Sequence, residues 1–446
     1  MAPLQVDVSV RQILKIALPI SLALMVPQFN FIINNVFLGH LSEQALAAAS
    51  ITGVYYLIFA GIGYGLNNGL QALISRRAGE NRPNEIGRIF DQGIMLSMMI
   101  AAAGIAITYL FAPLILRWSI RSAETYTMSV EFLRIRIWGL PFLYVYQMRN
   151  ALLVGTNNSK YLVAGTLAEA VANVFFDYTL IFGRWGLPAL GFTGAAYASV
   201  IAEFFGMFVI YLVIATKDIG KRFSLLKHFK WDAVYAKLIL KMSGPLVLQH
   251  AFALISWIFF YILVEHHGKT SLAISNTMRN VFGFFGVFNW AFASTANMMV
   301  SNVIGQGKSD EVFGLLKKII TLSGGFAAAV CVLLNMFPHT YLSIFGQSQT
   351  FIDTAIPVLR IVACSMILMA AGTVMLNAVT GTGNPKKTFQ IELIAILFYS
   401  IYVYIILEEL QLSIFWGWMS EILYWLIIFS CSLLYLRSGR WKNKKV

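Results

Sequence analysis

Residues 161–216 read YLVAGTLAEAVANVFFDYTLIF (161–182), GRWGLPALG (183–191) and FTGAAYASVIAEFFGMFVIYLVIAT (192–216). Two apolar runs flank a short break built on Gly and Pro, and a run of about 20 such residues crosses a hydrocarbon core of roughly 30 Å as a helix. The pair therefore reads as two membrane spans joined by a tight turn. Few polar groups interrupt it. In the first run Glu169, Asn173 and Asp177 stand at i, i+4 and i+8, one stripe over two helical turns, and Glu203 sits near the middle of the second.

The same alternation recurs along the chain. Apolar windows bounded by Gly, Pro, Asn and charge clusters fall at roughly 15–38, 44–66, 90–111, 128–150, 161–182, 192–216, 239–263, 270–292, 314–337, 355–378, 388–407 and 413–436. That predicts an all-α polytopic membrane protein of twelve transmembrane helices. With 58% hydrophobic and 12% charged residues, the composition excludes an ordinary water-soluble globule. The net charge of +13 resides in short connections rather than on an amphipathic face, so it reads as topology and not as a nucleic-acid surface. Cys331, Cys364 and Cys431 all lie inside apolar runs, which argues against a disulfide framework. The opening MAPLQVDVSVRQ lacks the layout of a cleaved signal peptide, so the first span is expected to insert uncleaved.

Lys and Arg crowd the N-terminal segment, the even-numbered connections and the tail. Arg76, Arg77, Lys160, Lys221, Lys227, Lys308, Lys386, Lys444 and Lys445 are among them, against only Arg117, Arg121, Arg184 and Lys269 in the odd connections. The positive-inside rule then places both termini in the cytoplasm of a bacterial inner (plasma) membrane. The expected division is an N-lobe over 1–216, a basic cytoplasmic linker over 217–238 and a C-lobe with a basic tail over 239–446.

The two halves align without a gap at a separation of 226 residues, taken from Pro19 and Pro245 (245 − 19). One register pairs Lys15 with Lys241, His40 with His266, Gly79 with Gly305, Glu85 with Glu311, Arg134 with Arg360 and Gly155 with Gly381. Pro, Gly, His and charged matches in a single register mark a repeat. Six spans per repeat make the repeats parallel, an architecture suited to alternating access.

An ionisable side chain at the centre of a membrane helix costs about 2.5–3.5 kcal/mol on insertion scales, so each such residue asks for an account. The fifth-span stripe of Glu169, Asn173 and Asp177, with Glu203, reads as an ion or proton site; the competing reading is hydrogen bonding between helices. Gln28, Asn30, Asn34 and Asn35 lie in the first span, and Gln28 and Asn35 with Arg279 of the eighth are candidates for a substrate cleft. Arg279, Arg360, Glu392 and Glu421 are expected to pair with one another, and Arg134 and Arg136 to snorkel to the outer interface. Pro19 and Pro27 make the first span either kinked or hinged. HHGKTS at 266–271 has Leu263 where a phosphate-binding loop needs glycine, and no cluster of catalytic His, Asp or Ser shares one depth. No enzyme is expected.

ANVFFDYTLIFGRWGLPALGFTGAAYASVIAE (172–203), FLGHLSEQALAAAS (37–50) and RRAGENRPNE (76–85) together resemble the MATE family of multidrug and toxic compound extrusion transporters, in the MOP flippase superfamily. The resemblance implies a V-shaped pair of six-helix lobes exporting organic, often cationic, compounds in exchange for Na⁺ or H⁺, acting as a monomer among membrane lipids and without a cofactor. It implies that Asn173 and Asp177 match the Asn and Asp of the family's N-lobe site, with Thr193 in the same signature, and that Asp177 and Asn173 are the ligands if the ion is Na⁺. The family's first-span Asp falls at Asn34, where FIINNVFLGH (31–40) replaces the usual Val-Asp-Thr. The acids another branch carries in its seventh and tenth spans are absent here, since Glu265 and Asp353 stand at outer ends. The leading expectation is an ion-coupled exporter of organic cations; the alternative is a flippase or exporter of a lipid-linked or other amphipathic metabolite.

Overall fold

The computed structural model describes residues 3–227, 230–345, 348–442 and 444. Linker positions 228–229 and the tail residue Lys445 lie outside the described residues. Within them every regular element is a helix. That is what a bilayer requires of an open chain, because backbone groups find no water there and must bond within their own segment.

Twelve long helical segments follow one another. They are α1 (Val10–Leu41), α2 (Glu43–Gly79), α3 (Pro83–Ser119), α4 (Ala123–Arg136, a 3₁₀ turn Ile137–Gly139, then Leu140–Gly155), α5 (Leu162–Phe182), α6 (Phe192–Thr216), α7 (Ala233–His266), α8 (Lys269–Gly305), α9 (Val312–Met336), α10 (Gln349–Gly381), α11 (Pro385–Val403, continuing as a π-helical turn Tyr404–Glu409) and α12 (Ile414–Trp418, then Ser420–Arg437). The break in α4 has a local cause: Pro141 brings no N–H to the ladder at the start of its second piece. Nine of the twelve are long and apolar enough by themselves to cross a membrane. The other three are α4, α5 and α8, diluted by residues such as Arg134 and Arg136, the Glu169–Asp177 stripe, and Arg279.

Helices overrun the apolar windows. At 37 residues each, α2, α3 and α8 extend about 55 Å at 1.5 Å per residue, well past the hydrocarbon core. The windows register only the apolar middle of each rod.

The chain forms two compact units, Met1–Leu4 with Leu22–Val247, and Gln5–Ser21 with Leu248–Val446. The division falls inside α1 and α7 rather than in the linker. In the first unit the start of α7 is seated on α2 at Gly65 and Gly69, four residues apart. A Cβ on Gly69 would lie 2.3 Å from Ser243 Oγ and 2.8 Å from its Cα, and one on Gly65 would lie 2.7 Å from the Val247 nitrogen. Only glycine lets the two backbones come this close, the small-residue contact by which membrane helices pack. The linker is also shorter than 217–238, since α7 begins at Ala233, and Ile219–Arg222 within it is a helical turn. It is tied to α3 by side chains buried there: Asp91 Oδ1 accepts from the Leu226 N–H at 2.8 Å, and Gln92 Nε2 donates to the Lys230 carbonyl at 2.8 Å.

In the second unit the N-terminal segment lies along α8 and α9. The Val6 N–H donates to Asn302 Oδ1 at 3.2 Å, Gln306 Nε2 to the Val6 carbonyl at 2.8 Å, and Lys318 Nζ to the Val8 carbonyl at 2.6 Å. A separate aromatic and aliphatic core, with Trp418 fully buried between Phe260 and Phe282, joins α7, α8, α9, α10, α11 and α12.

Candidate functional site

The first unit brings α1 against α5, and two amide-bearing turns interleave there. On α1, Asn30 and Asn34 are one helical turn apart; on α5, Asn173 and Asp177 are one turn apart. Asn30 Nδ2 donates to Asn173 Oδ1 at 2.6 Å, and Asn34 Nδ2 reaches the same oxygen at 2.9 Å. With the Asn34 amide turned over, its NH₂ donates instead to Asp177 Oδ2 at 2.6 Å. Asp177 is 2% exposed and Asn173 is equally buried. Among the described residues Asp177 Oδ1, Asn30 Oδ1 and Asn173 Nδ2 have no hydrogen-bond partner. Buried polar atoms are nearly always paired, so the carboxylate oxygen Asp177 Oδ1 and the amide oxygen Asn30 Oδ1, both orphaned, form a nest suited to a small cation.

Asn30 belongs to this cluster although the sequence singled out only Asn34. The signal was present, because Asn30 precedes Asn34 by one turn and so shares its face. Glu169, two turns from Asp177, lies half-buried against Gly206 of α6, and its charged neighbours are Glu203 and Arg136. It is not brought onto Asp177.

Glu203 sits in a different polar knot. Arg136 of α4 grips it with two hydrogen bonds, Nη1 to Oε2 at 2.9 Å and Nη2 to Oε1 at 2.6 Å, and the Tyr56 hydroxyl of α2 donates to Oε1 at 3.0 Å. The guanidinium also stacks on the Tyr56 ring, 3.7 Å from its centroid. Arg136 thus turns inward, contrary to the expectation that it snorkels. Its partner accounts for this, since the two hydrogen bonds to Glu203 and the stack on Tyr56 offset the desolvation of the arginine. Arg134 is exposed.

Thr193 spends its hydroxyl locally, donating to the Leu190 carbonyl at 2.8 Å. Gln28 and Asn35 are half-buried on α1 and make no hydrogen bond among the described residues. In the second unit Arg279 is exposed, 5.7 Å from the Tyr261 ring centroid, and Arg360 is exposed as well. The expected pairing of these arginines with Glu392 and Glu421 does not occur among the described residues. Both acids are buried and are held by neutral donors instead, Glu392 by the Tyr424 hydroxyl and Glu421 by Trp425 Nε1 at 3.0 Å.

Beside the Asn–Asp cluster, α1, α5 and the turn after α5 border an open groove of about 620 Å³ in the first unit. Phe29, Phe37, Phe175, Tyr178 and Trp185 line it, and Asn30 brings a polar group to its wall. Asn30 therefore touches both the groove and the buried amides.

Residues 19–179 and 245–405 each match the MatE family model, together well over half of the chain. The chain belongs to the MATE family. The two matches start at Pro19 and Pro245 and keep the 226-residue register of the internal repeat. Among MATE relatives, the "Probable multidrug resistance protein NorM" of Thermotoga maritima is 22% identical over 98% of this chain and 94% of its own length. A protein of the same name from Synechocystis is 23% identical over 80% and 79%. A crystal structure of a MATE protein in complex with MaL6 superposes with a TM-score of 0.90 at 16% identity, over 98% of this chain and 97% of that one. A MOP-superfamily transporter from Pyrococcus furiosus gives 0.88 at 17% identity, over 99% and 98%. The MATE fold thus extends along the whole chain, and membership makes it a multi-pass membrane transporter.

Proposed function

We propose that this MATE protein is an ion-coupled antiporter that exports organic, predominantly cationic, compounds across a bacterial inner membrane, with Asp177 as the coupling acid. One observation carries the reading: a carboxylate buried at membrane depth among three amides, with its Oδ1 and the Asn30 Oδ1 left without partners. Such an arrangement is costly unless something binds there, and oxygens of this kind suit Na⁺ or a proton. The names of the NorM relatives support multidrug compounds as the exported class.

Coupling follows from the shared residue. The exporter needs ion and substrate each to favour a different state of the protein. Asn30 lines the aromatic groove and also donates to Asn173, so an ion drawn onto Asp177 and Asn173 competes for the amide that faces the groove. Aromatic faces in the groove attract a flat organic cation, and capture of the ion at Asp177 repositions Asn30 and loosens that cation's wall. Pro27 lies one turn before Asn30 and leaves the Ala23 carbonyl without its helical partner, which makes that turn of α1 the compliant one.

The test is flux of a fluorescent organic cation in proteoliposomes, driven separately by a Na⁺ gradient and by a pH gradient. Transport under at least one gradient supports the reading. Equal flux with both gradients collapsed overturns it.

A further inference from the structure

The second unit holds two more buried carboxylates, and neither serves the Asn–Asp cluster, which lies wholly in the first unit. Glu392 on α11 is 4% exposed and Glu421 on α12 is 5% exposed. Among the described residues neither forms an ion pair. Glu392 accepts from the Tyr424 hydroxyl and, at 3.4 Å, from Gln249 Nε2 of α7. Glu421 accepts at Oε2 from Trp425 Nε1, one turn along its own helix, and among the described residues no hydrogen bond reaches its Oε1. The contrast with the first unit is direct, since Glu203 there has Arg136 as countercharge.

Glu421 lines a small cavity bounded by α7, α11 and α12. Ser256 of α7 faces the same space, is 6% exposed, and its hydroxyl makes no hydrogen bond among the described residues. Tyr399 and Tyr424 complete the polar part of the wall and Trp257 closes it. The free volume, about 10 Å³, is that of one water-sized particle, which excludes an organic substrate. A carboxylate, an unspent hydroxyl and two phenols give an all-oxygen set of the kind hard cations take. The carboxylates stand on α11 and α12, not on the seventh or tenth helix.

We infer that the cavity between Ser256, Tyr399, Glu421 and Tyr424 is a binding site for a single Na⁺, separate from Asp177. The ion supplies the missing countercharge to Glu421, and through Tyr424, which hydrogen-bonds Glu392 and lines the cavity, it is felt by the second acid as well. This goes beyond the antiport reading: the site binds Na⁺ whether or not Asp177 couples transport.

Equilibrium binding of radioactive Na⁺ to the purified full-length protein tests it, with Asp177→Asn as the background so that the first unit's cluster is disabled. Saturable binding, displaced by excess unlabelled Na⁺, is expected in that background. Glu421→Gln, added to it, keeps the size of the side chain and should abolish the binding. Ser256→Ala, which leaves every charge in place, should weaken it on the order of tenfold. Absence of saturable binding in the Asp177→Asn protein, or binding by the Glu421→Gln double variant equal to its parent, overturns the site. Since the antiport reading is judged by flux and this site by binding, the two can fail independently. If Glu421→Gln does not yield folded protein, the Ser256→Ala result decides: unchanged affinity overturns the inference.

Discussion

Arg136 and Glu203 form a two-pronged ion pair inside the first unit, at 2.9 and 2.6 Å, with the arginine stacked on Tyr56. Three helices, α2, α4 and α6, are tied by one guanidinium. Removing one partner strands the other charge in a place where water does not reach, at a cost of about 3–5 kcal/mol, whereas removing both costs far less. Arg136→Met should therefore lower the melting temperature in detergent sharply, and Arg136→Met with Glu203→Leu should restore most of it. Two single losses that simply add in the double variant would show that the pair is not coupled.

The seat of α7 on α2 makes a second, purely steric prediction. In Gly69→Ala the new methyl lands within 3 Å of the Ser243 backbone, which no rotamer change can clear. The helices must part, at a cost of about 1–3 kcal/mol. Gly244→Ala, one residue beyond Ser243, meets nothing within 4 Å and is the control. Thermal melting of the two variants side by side checks this; an equal loss in both would remove the contact from the account.

Orientation is testable without transport. The basic linker and tail favour the cytoplasm. In a cysteine-free background, a cysteine at Lys227 should be shielded from an impermeant thiol reagent applied to intact cells, and one at Ser348 should react. The reverse pattern inverts the topology.

Span number and repeat were legible because each depends on a local count: apolar length for the spans, and a fixed register of Pro, Gly and charge for the repeat. Asn173 and Asp177 were legible as one stripe, since helical periodicity alone puts them on one face. The partner of Arg136 was not, because the separation of 67 positions between it and Glu203 carries no periodicity that pairs α4 with α6. The same limit hid the neutral partners of Glu392 and Glu421. Sequence shows that a buried charge needs company; only packing shows whose. The division inside α1 and α7 was equally silent, because nothing in an apolar helix marks where its neighbours change.

Asp177 and Asn34 allow the sharpest test of the proposed coupling. Asp177→Asn keeps the size of the side chain and most of its hydrogen bonding while removing the charge, so expression and detergent stability should persist while gradient-driven flux falls to background. Asn30→Ala should behave differently. It removes the amide shared by the groove and the cluster, and with it one of the two unpartnered oxygens, but leaves the carboxylate, so ion binding at Asp177 should weaken without being lost while export per ion bound also declines. Asn34→Asp sets a second carboxylate beside Asn173 and within reach of Asp177, restoring the two-acid arrangement of the resemblance. Two negative charges this close favour any bound cation, so the Na⁺ or pH dependence of flux should shift measurably. Glu169→Gln, facing Arg136 and Glu203 rather than Asp177, should reduce flux only partly. Normal transport by Asp177→Asn under both gradients would place the coupling site elsewhere, with Glu392 and Glu421 as the next acids to neutralise.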